Sequence, residues 1–397
     1  MKKLIGALAL AAMVATSAFA EVSFGAWICN LPTLVASDGD TMKSGITNPW
    51  GWGSQRPVRL QANWTSDDGK AGMTMGISVE YGDTAKFGDN KGDAVTTGDK
   101  GFSIGTFTPN TFWIKPVDQV KLIVGQMDNS FGVRGDMCYG SWDWLRPNNW
   151  LYDGEGFSFS TFDENGLGLE ITPMEALKIF AAIPLSAKAN DTYKAFGNAN
   201  VGAAYTIDGI GTIKAGILGE YDATGDAKKN GTIEAAFDLT GIDKLYATLG
   251  VAFTLASSDW WDANEASRML KLALGASYGI TEAFKLSASF ELSKPKKGDM
   301  AMAFGVGANY AITDALGAVA DFRFKMPNND ADSTMSFLVG INYACGSNAS
   351  LGIGFQAAKA LGDKTGTGAG ALGGNFITAY KVDALVWAVP IRASFWF

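Results

Sequence analysis

The clearest pattern in the sequence is a strict alternation of apolar and polar residues in segments of about ten residues. In residues 244–256, Leu249, Val251 and Phe253 share one face of an extended chain, and Thr248 and Thr254 share the other. Neighbouring side chains of a β-strand point to opposite faces of a sheet, which gives this period of two. The same alternation recurs in residues 284–293, 316–325, 335–343 and 384–397. The pattern therefore predicts an all-β chain whose strands have one apolar and one polar face.

The connections between these segments alternate between short and long. Short turns fall at residues 207–210, 241–243, 280–282, 312–314 and 346–348. Longer polar stretches fall between them, at residues 222–230, 257–266, 326–333 and 359–374. This rhythm is typical of an antiparallel barrel with tight turns at one end and long loops at the other. Counting all segments gives 18 strands, with 16 as the alternative because the stretches 22–28 and 157–162 are ambiguous.

The N-terminus has the features of a secretory signal. Lys2 and Lys3 precede a short apolar run at residues 4–14, and Ala18-Phe19-Ala20 fits the small-x-small cleavage rule. We expect residues 1–20 to be removed after Ala20, leaving residues 21–397 as a single domain. Beyond the signal, no apolar run reaches the ~20 residues that a transmembrane helix needs. In lipid, an exported chain without such helices can satisfy its backbone only as a closed barrel.

The last alternating segment ends on aromatic residues, with Phe395 and Phe397 in phase with its apolar face. It resembles the closing strand of a bacterial outer-membrane β-barrel porin, and in composition the chain is similar to spirochaete porin-like proteins. In that family the terminal aromatic residue is an assembly signal read by the barrel-assembly machinery. The resemblance implies a transmembrane antiparallel β-barrel in the outer membrane of a double-membraned bacterium. It also implies short periplasmic turns, long extracellular loops, surrounding lipid and, as one assembly state, a homotrimer.

A row of tyrosines supports the membrane interpretation. Tyr205, Tyr278, Tyr310 and Tyr343 each lie in phase with the apolar face, just before a short turn. Aromatic residues collect at the interface between lipid and water, so this spacing predicts a girdle at the short-turn end.

Charged residues of both signs fall on the polar parity of the strands. A packed core would not accept them because an unpaired buried charge is very costly, whereas a water-filled lumen would. The predicted pore-lining residues are Arg59, Lys115, Lys121, Glu170, Lys178, Lys214, Glu234, Lys271, Lys285, Asp321, Arg323 and Arg392.

The longest segment without a strand pattern is residues 128–166. Loops of this length are uncommon unless they are functional. In general porins, which the chain resembles, the loop after the fifth strand folds into the barrel and narrows it. The loop residues expected at such a constriction are Arg134, Asp136, Asp143 and Arg146.

Composition removes several other classes of function. The chain has no histidine, which excludes Ser-His-Asp and Cys-His catalysis, and we expect no enzyme. With 40 acidic against 32 basic residues, nucleic acid is not an expected partner. No metal-ligand pattern occurs. Residues 368–373 match GxGxxG by letter but lack the following helix, so no cofactor is expected.

Three cysteines give a test of topology. Cys29 is expected at the end of the first strand and Cys138 in the long loop, both on the long-loop side, whereas Cys345 begins a short turn. Cys345 should stay free, and any disulfide should join Cys29 to Cys138 because a bridge needs Cα atoms within ~7 Å.

The function that these features favour is a water-filled channel through which small hydrophilic solutes diffuse passively. Two alternatives remain open. Tryptophans in loops, including Trp142, Trp144 and Trp150, would suit a sugar-selective channel, because aromatic rings stack on sugars. The third possibility is a surface adhesin or structural barrel in which the loops carry the function.

Overall fold

A computed structural model describes the parts of the chain that form most of its strands. The described residues are 22–47, 55–82, 101–125, 132–133, 157–158, 166–184, 199–221, 229–256, 258, 262, 268–327, 332–362, 366–372, 377–380 and 383–396.

One large antiparallel sheet of 19 strands contains nearly all of this structure. Its strands are β1 Val22–Ser37, β2 Met42–Thr47, β3 Gln55–Thr65, β4 Ala71–Gly82, β5 Gly101–Val117, β6 Val120–Gly125, β9 Gly166–Met174, β10 Leu177–Pro184, β11 Asn200–Ile207, β12 Gly211–Tyr221, β13 Lys229–Ile242, β14 Leu245–Ala256, β15 Arg268–Gly279, β16 Phe284–Pro295, β17 Ala301–Ala311, β18 Leu316–Met326, β19 Thr334–Ala344, β20 Ala349–Ala360 and β23 Val386–Trp396. Two small hairpins lie outside it: β7 Gly132–Val133 with β8 Phe157–Ser158, and β21 Gly366–Leu372 with β22 Ile377–Tyr380.

Each strand from β3 to β20 pairs with its neighbour along the sheet, and β6 pairs directly with β9. The two terminal strands of the sheet also pair with each other. β23 pairs with β20 on one side and with β1 on the other, where Trp27 lies opposite Trp396. The first part of β1 then pairs with β3, and its last part pairs with β2. Neither β1 nor β23 is therefore left as a free edge.

The short turns form because their residues close the backbone locally. The motifs Ile280-Thr281 and Ile312-Thr313 occupy equivalent turns, and in each the threonine Oγ1 accepts a hydrogen bond from the first residue of the next strand. The donors are Phe284 N and Leu316 N, both at 3.0 Å. Gly209 adopts φ 67° in the β11–β12 turn, a left-handed conformation that a residue without Cβ adopts at no steric cost.

Aromatic residues link the strands on the apolar face. Phe304 stacks on Phe324 with ring centroids 5.3 Å apart, and Phe355 stacks on Trp387 at 6.0 Å. Such cross-strand aromatic pairs stabilise a sheet by roughly 0.5–1.5 kcal/mol each beyond the burial of their area. No helix within the described ranges is long and apolar enough to cross a membrane.

Three predictions about the strands need correction. The sheet has 19 strands, so both predicted counts, 18 and 16, are too low. The additional strand is the short β2, whose partner among the described residues is β1. The first strand does not end near residue 28 but continues to Ser37, because β2 gives its second half a partner. Cys29 consequently lies inside β1, opposite Ser394, and not at its end.

Candidate functional site: the polar face of the sheet

The two faces of the sheet have the reverse of the distribution found in a water-soluble protein. Large apolar side chains on one face are exposed: Ile217 by 56%, Val306 by 50% and Val339 by 55%. On the opposite face, Glu291 and Asp321 are buried, with 3% and 4% of their surface exposed. A soluble sheet does not expose a continuous apolar face of this size, whereas a sheet in lipid requires one. The polar face is therefore the face on which a solute pathway must be sought.

The tyrosine row lies where the sequence predicts it. Four tyrosines of the apolar face are 46–51% exposed, and each pairs with the first residue of the strand that precedes its own: Tyr205, Tyr278, Tyr310 and Tyr343. They mark one level of the apolar face, next to the short turns.

On the polar face of β12, β13 and β14, Asp238 is the centre of a small network. Its Oδ2 lies 2.6 Å from Lys214 Nζ, and its Oδ1 accepts a hydrogen bond of 2.7 Å from Thr248 Oγ1. Tyr246 OH also donates to Oδ1, at 3.5 Å. A buried carboxylate is tolerated when it is paired and hydrogen-bonded in this way.

A second group of charges lies on β18 and β23. Arg323 Nε donates to Asp321 Oδ1 at 2.7 Å, and both side chains are almost fully buried. Arg392 donates to Asn342 Oδ1 at 3.1 Å and to Ser350 Oγ at 3.3 Å. These contacts hold the guanidinium groups against the wall of the sheet.

Several hydroxyls on the same face are not satisfied by the protein. The Oγ atoms of Ser287, Ser289 and Ser293, all on β16, have no hydrogen-bond partner among the described residues. Buried polar groups without a protein partner normally bond to water, because leaving them unpaired costs about 1–3 kcal/mol each. A row of such hydroxyls therefore favours a hydrated polar face over a dry core.

An accessible charged region lies at the short-turn end of β5, β6, β9 and β10. We call it the basic-aromatic patch, and it consists of Trp113, Lys115, Lys121, Glu170 and Lys178. Lys178 Nζ lies 3.1 Å and Lys121 Nζ 3.9 Å from the Glu170 carboxylate. Lys121 and Lys115 also lie over the Trp113 ring, 5.1 and 5.5 Å from its centroid.

The backbone beneath this patch explains how the indole is placed. Trp113 is opposite Gly72 in the β4–β5 ladder, and its ring occupies the space that a Cβ at Gly72 would need. The ring also packs against a cluster formed by Ile123, Phe180 and Ala182. Glycine on one strand and apolar residues on the next therefore fix the tryptophan on the polar face.

Two hairpins lie against other parts of the sheet. The β7–β8 hairpin belongs to the long connection between β6 and β9, yet it has Cα atoms within 8 Å of β13 and β14. Four strands of the sheet, β9 to β12, separate its origin from that contact. The described part of the long connection therefore lies beside β13 and β14, away from the strands β6 and β9 that it joins.

The second hairpin, β21–β22, folds back on the strands that it connects. Leu372 is completely buried in a cluster with Ala358, Ala360, Val386 and Ala388. These four residues share the parity of Gln356 and Arg392, which places the cluster on the polar face. The small alanine side chains leave room for the hairpin, and Leu372 anchors it.

The predicted pore-lining residues fall into groups on this face. Lys115, Lys121, Glu170 and Lys178 come together in the patch, and Lys214, Asp321, Arg323 and Arg392 make the contacts described above. Glu234 is buried and Lys285 is exposed, and Lys271 is partly exposed. The side chain of Arg59 lies outside the described residues, as do Phe397 and the loop residues Arg134, Asp136, Asp143 and Arg146.

Sequence reasoning missed two residues of this face. Trp113 has the same parity as Lys115, and that alternation could have identified it. Leu372 gave no comparable signal, because it lies in the glycine-rich stretch 366–373 that has no alternating neighbours of its own.

Asp38, in the turn between β1 and β2, has an altered ionisation. The Lys43 ammonium, 2.9 Å away, holds the pKa of Asp38 well below its ordinary value, and backbone N–H groups of Thr41 and Asp40 add to the effect. In the β3–β4 turn, the Ser66 hydroxyl and the Lys70 N–H lower the pKa of Asp68.

Cys345 is free and exposed, as predicted. Cys138 lies outside the described residues, so the expected bridge to Cys29 stays a prediction. In the described ranges, no group of three or more His, Cys, Asp or Glu residues is placed to hold a metal ion.

Solved structures with a similar fold include outer-membrane porins. An anion-selective porin from Comamonas acidovorans superposes with a TM-score of 0.54 at 15% identity, covering 95% of this chain and 100% of that chain. The chain has the fold of an outer-membrane porin. OccK2 of Pseudomonas aeruginosa, solved in complex with glucuronate, gives a TM-score of 0.54 at 9% identity and covers 96% and 99% of the two chains. OprD of Pseudomonas aeruginosa gives 0.52 at 9% identity, covering 96% of both.

At the level of sequence alone there is no such similarity. No protein-family model matches the chain, and no curated protein matches it significantly. The porin fold is therefore carried by the pattern of strands and faces and not by a shared motif.

Proposed function

We propose that this chain is an outer-membrane porin, a closed barrel that lets small hydrophilic solutes and ions diffuse through a water-filled lumen. The ring of pairings that runs from β1 through β3 to β23 and back to β1 supports closure. All strands of the main sheet except β2 take part in that ring, and β2 lies beside β1, with which it pairs.

The observation that carries this proposal is the assignment of the two faces. The exposed apolar face, with its tyrosine row, suits lipid and its interface with water. The opposite face has the charges and the unpartnered serine hydroxyls, which suit water. No catalytic step is needed, since the wall charges and the width of the lumen act as the filter.

The long connection between β6 and β9 is the proposed constriction. The position of the β7–β8 hairpin beside β13 and β14 supports a loop that crosses the lumen. The charged residues proposed to narrow the path are Arg134, Asp136, Asp143 and Arg146, as the sequence predicts.

We also propose that the protein is exported with cleavage after Ala20 and inserted by the barrel-assembly machinery through Phe395 and Phe397. In this orientation the short turns are periplasmic and the long loops extracellular. A homotrimer is the proposed assembly state, and crosslinking of the native membrane protein would test it.

Single-channel recording in planar lipid bilayers tests the proposed function. Refolded protein should give stable ohmic steps, and liposomes that contain it should swell in small sugars but not in large ones. Protein that inserts and shows heat-modifiable mobility but gives no steps would contradict the channel. It would favour the adhesin or structural role, in which the loops are the working part.

A sugar-selective channel is the second candidate. It is distinguished by a saturable block of ion current by a neutral sugar, which a general porin does not show. On the described polar face, Trp113 is an aromatic residue that would favour it.

A further inference from the structure

We propose that the basic-aromatic patch is a binding subsite for small organic carboxylates at the periplasmic end of the barrel, separate from the loop constriction. This inference deepens the proposed function and rests on it, because the patch is useful only if solutes pass along the polar face.

The position of the patch separates it from the other elements of the wall. Lys115 is two residues from the end of β5, and Lys121 and Lys178 are each the second residue of their strand. At about 3.4 Å per residue, they lie within roughly 10 Å of the short turns. The β7–β8 hairpin lies against β13 and β14 instead, so the patch is not covered by the described part of the long loop.

The charge of the patch is strongly positive. Within the patch as defined, three lysines stand against one carboxylate, Glu170, and Lys115 makes no ion pair with any residue that the structure describes. The lysine side chains are also accessible, with Lys121 29% and Lys178 38% exposed. By contrast, Asp321 and Arg323 on the same face are almost fully buried and form an ion pair with each other.

The geometry already accommodates a carboxylate. Glu170 lies between two ammonium groups, 3.1 Å from Lys178 and 3.9 Å from Lys121. The Glu170 side chain therefore occupies the position of a bound carboxylate. Because its contact with Lys121 is the longer one, Lys121 can also contact a second anion together with Lys115. The indole of Trp113 holds both lysines near its ring, which reduces the number of conformations that each must lose on binding.

The turns at this end also carry acidic residues. Asp118 and Glu175 are exposed in the β5–β6 and β9–β10 turns. They lie beyond the strands and in water, where salt screens their effect within about 8 Å at physiological ionic strength. The wall of the patch, as distinct from its rim, therefore remains net basic.

The experiment compares glucuronate with glucose as blockers of single-channel current in 0.1 M KCl. The two solutes have the same ring size, and only glucuronate carries a carboxylate. We expect a saturable block by glucuronate, little block by glucose, and loss of the difference in 1 M KCl, where screening shortens to about 3 Å.

Two variants with opposite expected effects make the test specific. Lys121→Gln removes a charged donor and should weaken the glucuronate block roughly 10-fold to 100-fold, the range that a charge-assisted hydrogen bond contributes. Glu170→Gln removes the internal competitor and should strengthen the block by roughly threefold to tenfold. A purely structural role of the Lys–Glu pairs predicts no gain in affinity from the second variant.

Lys285→Gln is the matched control. Lys285 is the second residue of β16, so it lies on the polar face near the short turns but outside the patch. The substitution removes the same charge as Lys121→Gln. It should leave the affinity for glucuronate unchanged. If Glu170→Gln weakens the block, or if all three variants change it equally, the subsite is refuted.

The two levels of the proposal fail in different ways. Absence of any channel activity overturns the proposed function. Normal channels on which glucuronate and glucose act alike overturn the subsite only.

Discussion

The substitution Val306→Arg tests how the apolar face is solvated. Val306 is at the middle of β17, is 50% exposed, and pairs with Ala288 and Phe322 on the neighbouring strands. Ile312, in the adjoining turn, is six positions further along the chain. At about 3.4 Å per residue and a tilt of about 40°, this places Val306 roughly 15 Å into the apolar band, close to the middle of its ~25 Å height.

An arginine at that depth should cost about 2–4 kcal/mol of folding free energy. This corresponds to a decrease of roughly 30-fold to 700-fold in the equilibrium constant for folding into the bilayer. If the same face were in water, the substitution would change stability by no more than about 0.5 kcal/mol.

The assay is denaturant-dependent folding into lipid vesicles, followed by heat-modifiable mobility and tryptophan fluorescence. Ile312→Arg is the matched control, since Ile312 is 48% exposed but lies in the turn, where arginine should cost about 0–1 kcal/mol. Equal destabilisation by the two substitutions, or a neutral Val306→Arg, would refute the assignment of this face to lipid.

Three further predictions follow from the polar face and the loops. Leu372→Ser should release the β21–β22 hairpin from its alanine cluster and raise single-channel conductance or current noise; unchanged traces would show that the hairpin does not limit the lumen. Shortening the long loop between Gly135 and Asn149 should raise conductance and admit larger solutes, as measured by liposome swelling, whereas an unchanged size limit would remove its constriction role. Because the pKa of Asp38 is depressed in the folded chain, its pairing with Lys43 stabilises the β1–β2 hairpin above pH ~4 and is lost as pH falls through the folded pKa. Protease protection of that hairpin should decline below pH ~4 in the wild type but not in Asp38→Asn.

Strands with uninterrupted alternation were predictable from sequence. From Asn200 onward, the predicted segments correspond to β11 through β20 and to β23, because one parity is consistently apolar and the turns between them are short. The apolar face, its tyrosine row and most of the charged polar face follow from the same parity.

Strands that lack this pattern were not predictable. β5 begins at Gly101, well before the predicted segment 112–116, and its pairing with β4 shifts in register between Thr74 and Gly76. β2 and the second half of β1 depend on each other for pairing, so neither has a strong signal alone.

The grouping of the charges required the structure. The sequence places Lys121, Glu170 and Lys178 on one face but does not give the register that puts them on adjacent strands at one level. The burial of Leu372 likewise depends on contacts with residues of β20 and β23, which the sequence pattern does not show.

The most direct test of the central claim is a nitroxide scan of residues 212–217 on β12 in lipid vesicles, with Cys29, Cys138 and Cys345 changed to Ser. We expect Ile213, Ala215 and Ile217 to be accessible to oxygen, which partitions into lipid. Thr212, Lys214 and Gly216 should be accessible to a water-soluble nickel complex, so that the two profiles alternate in opposite phase. Profiles that peak at the same residues, or that show no period of two, would contradict a barrel with a lipid-facing apolar surface and a water-filled lumen.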